Sequence, residues 1–190
     1  MRALLVLLVV VWLPVQAAEI HYVDVDRDGT RYYFDSETIF HAPLASVYAV
    51  LTDYDDFKRI SRVFTHTRFL EPVTDGVGII YTRARGCILF FCRTVVRVER
   101  LELDPMSEIV AIADPERSDV KYSRAHWQFE ETDRGTRVRY RMEMEPDFWV
   151  PPVLGPWMLK RSLTSNGEEV VARIEYLARE RAGLISRAER

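Results

Sequence analysis

Residues 121–145 read KYSRAHWQFEETDRGTRVRYRMEME, and their alternation decides the fold class. From Lys121 to Glu131, Ser123, Ala125, Trp127 and Phe129 share one face, while Arg124, His126, Gln128 and Glu130 share the other. From Thr136 to Glu145, Val138, Tyr140, Met142 and Met144 oppose Arg137, Arg139, Arg141 and Glu143. A period of two with one apolar and one wet face marks antiparallel strands laid over a core. Asp133-Arg134-Gly135 between them reads as a short hairpin loop. Toward the N-terminus, runs bounded by turn residues predict further strands over Arg31–His41, Val63–Glu71, Val77–Gly86, Cys92–Leu103 and Glu108–Ala113. Asp26-Arg27-Asp28-Gly29 is a turn between two extended pieces. Pro43 suits a first helical position, with Leu44, Val47, Tyr48 and Leu51 at helical spacing behind it. Asp53-Tyr54-Asp55-Asp56-Phe57 then opens a second short helix to about Ile60. Toward the C-terminus, Leu159, Leu163, Val170, Val171, Ile174, Leu177 and Ala178 recur between charges, so Trp157 to about Ala182 is a long amphipathic helix.

Composition agrees with a globular α+β chain. The 190 residues are 48% hydrophobic and 29% charged, with 8 Gly and 9 Pro, which excludes collagenous, low-complexity and natively disordered classes. A formal net charge of −3 argues against a nucleic-acid partner, which calls for a basic excess. No linker or repeat interrupts residues 18–190, so a single domain is expected there.

The first segment reads as an address. Met1-Arg2 is a short positive start, Ala3–Leu13 is unbroken apolar sequence, and Val15-Gln16-Ala17 offers a signal-peptidase site. The apolar run reaches only about 16 Å as a helix, roughly half of a bilayer's hydrocarbon core, so cleavage after Ala17 is expected rather than a retained anchor. The mature chain, residues 18–190, is then exported, most simply to a periplasm.

The element order, together with Val47-Tyr48-Ala49-Val50-Leu51-Thr52-Asp53-Tyr54-Asp55-Asp56-Phe57 leading into Phe69-Leu70-Glu71, resembles the START-like polyketide cyclase/dehydratase (SRPBCC) superfamily. Within it the sequence looks most like the coenzyme Q-binding branch. Trp127 followed by Phe129, Gly135-Thr136-Arg137, Tyr140, and Glu145-Pro146 before a proline-rich stretch carry the likeness further, over roughly residues 31–182. The resemblance implies a helix-grip fold: a curved seven-stranded antiparallel sheet wrapped around the long C-terminal helix, two short helices after the first strand, and an apolar cavity between sheet and helix.

Two loops look too apolar for simple connectors. A strand running from Val77 to Leu103 is too long, so a reversal lies inside it, and Cys87 and Cys92 bracket the natural place. In an oxidising compartment they are expected to form a disulfide across the hairpin neck, worth about 2 kcal/mol in the chain-entropy model. A redox-active pair is the weaker alternative, because the spacing is not Cys-x-x-Cys. The enclosed Ile88-Leu89-Phe90-Phe91 either folds over the open end of the sheet or forms part of a cavity mouth or membrane-dipping loop. The second loop, Phe148 to Met158, is rich in proline and aromatics. By its position in the resembled family, Phe148, Trp149 and Trp157 become ligand contacts; the alternative is that they cap the core. Lys160 and Arg161 beyond it form a solvated helix turn or meet an anionic headgroup.

Inward-facing Trp127, Phe129, Tyr140, Met142 and Met144 either line a pocket or are plain core. Tyr81, Arg83 and Arg85 share one face of their strand, as do Val95, Arg97 and Glu99 on the next, and an inward arginine is able to pair with a carboxylate or polar head. Tyr81 and Arg83 are therefore ligand-contact candidates, although the pattern leaves open which arginine turns inward. No catalytic residue, metal or cofactor is assigned. His21, His41, His66 and His126 lack metal-ligand spacing, nucleophile-elbow and phosphate-loop motifs are missing, and Asp53, Asp55 and Asp56 read as helix caps. The leading expectation is an exported binding or carrier protein for a hydrophobic small molecule such as a lipid, isoprenoid quinone or polyketide-like compound, with transient membrane contact. A cyclase or dehydratase on the same fold and a module docking through its apolar loops are the alternatives.

Overall fold

A computed structural model describes residues 17–88, 91–149 and 155–185, with side chains at all of these except 88, 91 and 155–166. Eight strands run in the order β1 (Glu19–Asp28), β2 (Arg31–Phe40), β3 (Phe64–Thr74), β4 (Val77–Ile88), β5 (Phe91–Asp104), β6 (Glu108–Ala113), β7 (Val120–Thr132) and β8 (Gly135–Pro146). Helix α1 (Leu44–Leu51) follows β2, and the long helix α2 (Gly155–Arg181) follows β8. The strands form one antiparallel sheet in the order β1-β2-β8-β7-β6-β5-β4-β3. This is the helix-grip arrangement expected from sequence, with one strand more than the seven anticipated. The extra strand is β1, whose sequence EIHYVDVDRD is half charged because it lies at the sheet's edge, where charge blocks pairing with other chains.

The second short helix expected over Asp53–Ile60 is a single 3-10 turn, Phe57–Arg59. Its acidic residues are engaged elsewhere instead of capping. The Asp55 carboxylate accepts the Phe69 amide at 3.2 Å, Asp56 pairs with Arg59 at 3.0 Å, and Asp53 pairs with Arg181 of α2. Tyr54 and Phe57 are buried and stack at 4.7 Å between ring centres. Tertiary anchoring has overridden local helical preference.

Turn chemistry sets two of the registers. Asp75 and Gly76 both have positive φ, 52° and 79°, in the two-residue turn joining β3 to β4. At Gly135 φ is 127°, and a β-carbon there would lie 2.2 Å from the Phe40 carbonyl oxygen. Only glycine fits, so the β7–β8 hairpin packs directly on the end of β2. The Thr136 hydroxyl, fully buried, locks the junction by donating to the Ala42 carbonyl at 2.8 Å.

One end of the sheet's inner face is sealed. Ile80, Leu101, Ile109, Ala111 and Ala125 are buried with Val47, Val50 and Leu51 of α1 and Ile174, Leu177 and Ala178 of α2 in one continuous cluster. Glu175 of α2 reaches the same junction and accepts the His41 amide at 2.9 Å. Its burial pushes its carboxyl above the usual range, against the lowering effect of that amide.

The β4–β5 hairpin is longer than the expected Val77–Gly86 and Cys92–Leu103. Its ladder continues through Cys87 opposite Cys92 to Ile88 opposite Phe91, and the cysteines are joined in a disulfide. The expected cavity-mouth loop lies outside the described residues: Leu89 and Phe90 altogether, and the side chains of Ile88 and Phe91. Apart from Ala17, so does the expected signal peptide. Among the described residues, no helix is long and apolar enough to cross a membrane.

Candidate functional site

Strand register assigns each candidate to a face. Residues directly opposite in an antiparallel ladder point the same way. Met142 pairs with Phe34 on one side and Ala125 on the other; Met144 pairs with Tyr32 and Ser123; Trp127 lies between Tyr140 and Ile109. Trp127, Phe129, Tyr140, Met142 and Met144 thus all belong to the inner face, as their alternation predicts. Trp127 stacks on Tyr140 at 4.7 Å, Phe34 meets Tyr140 at 5.4 Å, and Phe129 meets Tyr48 of α1 at 5.3 Å. Phe129 therefore joins the sealed end. Phe34, Trp127, Tyr140, Met142 and Met144 are only half-buried, although they face inward.

Tyr81 and Arg83 point the other way. Their partners across the ladder are Arg68 and His66 on β3, and the Tyr81 ring lies 5.7 Å from the His66 ring and 5.9 Å from the Arg68 guanidinium, all on the outer face. Arg83 is exposed. The inward positions on β4 are Ile80, Thr82 and Ala84, and opposite Thr82 on β5 stands Arg97. Arg97 is the arginine that turns inward, with Glu99 two residues further on.

Arg97 and Glu99 form a polar centre within an apolar interior. The Arg97 Nη1 lies 3.5 Å from Glu99 Oε1 and 3.4 Å from the Ser123 hydroxyl, and the side chains are 18% and 3% exposed respectively. The Thr82 hydroxyl donates to Glu99 Oε2 at 3.3 Å. Glu99 Oε1 is buried and accepts no hydrogen bond. Burial is the largest influence and works against the Arg97 charge, but Glu99 together with the Tyr140 and Tyr54 phenols outweighs it and the guanidinium stays protonated. Tyr140 and Tyr54 border the pair. Burial pushes the Tyr140 phenol up to about 12, with Arg97 opposing, and raises that of Tyr54 still further. Both phenols stay protonated at any physiological pH, so each keeps an O–H to donate.

Sequence reading missed Glu99, Tyr54, Ser123 and Thr82 as a group. In the sequence Tyr54 reads only as part of a helix start, yet the unwound Asp53–Asp56 segment is what turns its ring inward against Phe57 and Phe69. A signal for the others existed in the pairing of two polar strand positions, Thr82 and Arg97, on the face that carries Ile80 and Leu101.

The exposed Arg93, one residue past the disulfide, lies 4.5 Å over the Phe148 ring, and the neighbouring Trp149 is 72% exposed. Trp157 lies in α2, but its side chain, like those of Lys160 and Arg161, is outside the described residues. Trp149 is thus turned to solvent, while Phe148 is half-buried under the Arg93 guanidinium.

The outer face is charged and self-paired. Asp35 of β2 accepts from Arg139 at 2.8 Å, Arg141 at 3.2 Å and the Tyr22 hydroxyl at 2.9 Å. Burial alone would raise its carboxyl, but these partners hold it below the usual range. An open concavity of about 330 Å³ lies on this face, lined by Asp24, Asp26, Arg124, His126, Arg141 and Glu143 among others. Tyr33, Phe34 and Met142 also line it, so charged side chains and apolar surface share this concavity. Among the described residues, no three His, Cys, Asp or Glu come together as a metal site.

Several solved structures share the fold. An aromatase/cyclase (Zhui) from Streptomyces sp. R1128 superposes with a TM-score of 0.64 at 16% identity, over 80% of this chain and 96% of its own. A STAR-related lipid transfer protein from Xanthomonas axonopodis gives 0.60 at 16% identity, over 80% and 98%. A START superfamily protein from Mycobacterium smegmatis gives 0.60 at 12% identity, over 78% and 99%. At such identities the likeness is one of fold. No curated protein matches the sequence. Residues 40–170, well over half of the chain, match the family described as polyketide cyclase / dehydrase and lipid transport, and the chain belongs to that family.

Proposed function

We propose that the protein is an exported binding or carrier protein for a hydrophobic small molecule held between the sheet and α2. One observation carries the reading: beside the buried cluster the inner face keeps Phe34, Trp127, Tyr140, Met142 and Met144 half-buried and holds a desolvated Arg97–Glu99 pair. A few fixed polar groups in an apolar lining suit a site that takes its affinity from burial, at about 25 cal/mol per Å² of apolar surface, and its orientation from the polar end. Isoprenoid quinones, other lipids and polyketide-like molecules all have that form. Export is supported by the N-terminal sequence and by the Cys87–Cys92 disulfide, which persists in an oxidising compartment. The exposed Trp149 and Arg93 support transient contact with a membrane from which such a ligand is taken.

The experiment is native mass spectrometry of the protein purified from the compartment where it accumulates, with organic extraction of whatever co-purifies. An added mass that extraction removes is expected. Consistently empty protein that takes up no hydrophobic compound would overturn the proposal.

The runner-up is a cyclase or dehydratase on the same fold. What favours it is the same cluster, in which Tyr140 and Tyr54 are protonated donors beside a carboxylate. It predicts that the bound compound is converted on incubation, whereas a carrier returns it unchanged.

A further inference from the structure

The geometry points to the outer face of the β3–β4 hairpin as a docking surface for an anionic lipid bilayer, with Arg68, Arg83 and Arg85 as its contacts. This rests on the reading of the protein as a carrier that meets a membrane, and it adds the surface used and the charge of the lipid.

Register places the stripe. Tyr81, Arg83 and Arg85 alternate along β4 on the outer face, and Arg68 and His66 of β3 lie opposite Tyr81 and Arg83. The arginines and His66 are all exposed. Tyr81 to Arg85 covers about 13 Å at 3.3 Å per residue, so the guanidinium groups stand close together on one hairpin. Their neighbours across the ladder on β5, Val98, Val96 and Thr94, carry no charge. Among the described residues none of these arginines takes part in an ion pair, and Arg68 rests over the Tyr81 ring. Nearby carboxylates do not answer them. Asp119 accepts the Val96 amide at 2.8 Å, and Glu71 lies beyond Tyr81, opposite Ile79. Arginines elsewhere on this face are treated differently: Arg31, Arg137, Arg139 and Arg141 of β2 and β8 each pair with a carboxylate. In a chain of net charge −3, an unneutralised stripe concentrates positive potential at one place.

A bilayer suits this stripe better than a discrete anion does. The cations are spread along open strands instead of converging on one point, which matches a field of headgroups. Tyr81 among them is of the residue type that settles at a membrane–water boundary. Two residues beyond Arg85 on the same face the stripe reaches the exposed Cys87–Cys92 disulfide, and the residues enclosed by these cysteines in the sequence are Ile88, Leu89, Phe90 and Phe91. Basic residues followed along the chain by an apolar run have the composition of a membrane-surface contact.

The test is co-sedimentation of the purified protein with phosphatidylcholine vesicles, with and without about one-third phosphatidylglycerol, at low and at high salt. Binding about tenfold or more tighter to the anionic vesicles, and lost at high salt, is expected. Each arginine at such a surface is worth roughly fivefold, so Arg68→Gln, Arg83→Gln and Arg85→Gln combined should weaken binding by about a hundredfold. A control that removes the same charge at other exposed positions, Arg117→Gln, Arg124→Gln and Arg173→Gln combined, should weaken it less than about fivefold. The wild-type comparison stands even if a variant does not fold. No preference for anionic vesicles, or equal loss in the two triple variants, overturns the inference. So does retention on heparin without vesicle binding, which assigns the stripe to a soluble polyanion. Uptake of the neutral fluorescent probe N-phenyl-1-naphthylamine, read without vesicles, keeps the two claims apart. Intact uptake beside failed docking leaves the carrier reading standing, whereas absent uptake of this and every other hydrophobic compound overturns that reading whatever the vesicles show.

Discussion

The two ends of the inner face are built from the same strands and do different things. At the sealed end Ile80, Leu101 and Ile109 are essentially inaccessible, and α1 and the C-terminal part of α2 close over them. Two to four residues along the same strands, Thr82, Glu99 and Arg97 replace aliphatics, and Phe34, Tyr140, Met142 and Met144 are half-buried. The difference separates two tasks within one sheet. The buried cluster supplies stability, and under the proposed function the half-buried apolar residues and the ion pair serve a guest.

That division makes substitutions unequal. The largest effect is expected at the sealed end, where Leu101→Ala should lower the unfolding free energy by about 3 kcal/mol, read from the urea midpoint. A loss below about 1 kcal/mol would mean that this end is not the stabilising core. Next comes Arg97→Leu, which strands Glu99 without its counter-charge. A loss of about 2 kcal/mol is expected, and Arg97→Leu with Glu99→Leu should recover most of it, because a paired apolar replacement leaves no orphan charge. A double variant no better than the single one would show that the pair is not energetically coupled. Met142→Ala should cost less, about 1 to 2 kcal/mol, since its side chain is only half-buried, yet it should weaken uptake of N-phenyl-1-naphthylamine measurably.

The smallest effect is outside, at Asp35. Its carboxyl lies below the usual range when folded, so its contribution is present above the unfolded value and is lost as pH falls through the lower, folded value. Urea midpoints measured from pH 7 down to pH 3 should therefore show Asp35→Asn weaker than wild type at neutral pH and converging with it in acid. Parallel curves would remove the Arg139–Asp35–Arg141 cluster from the stability account.

What sequence disclosed tracks how clean the alternation is. The β7–β8 hairpin was legible in full, including its loop, because polar and apolar residues strictly alternate there and Gly135 marks the turn. Strand β1 was not, because an edge strand paired on one side tolerates charges at most positions. The segment Asp53–Asp56 resembled a capped helix start, and only its tertiary partners, Phe69, Arg59 and Arg181, show why it unwinds. The polar centre was hidden for a physical reason. In Val77–Arg85 and Val95–Glu99 the charges lie on one face of each strand, with Val77, Ile79 and Tyr81 on the first and Val95 on the second, so patterning pointed to Tyr81 and Arg83 as readily as to Arg97, and only the register separates them. Charged residues placed where the pattern calls for apolar ones violate the rule by which cores are read, and such violations gather at functional sites.

The central claim is that a guest enters the half-open end and leaves the sealed end untouched. Methyl NMR tests it most directly, with methionine and isoleucine labels and N-phenyl-1-naphthylamine as the guest. The account predicts that the Met142 and Met144 signals shift on titration while those of Ile80, Ile109 and the exposed Met106 stay in place. Shifts at Ile80 and Ile109 without shifts at Met142 and Met144, or no shifts at all at saturating probe, would contradict it.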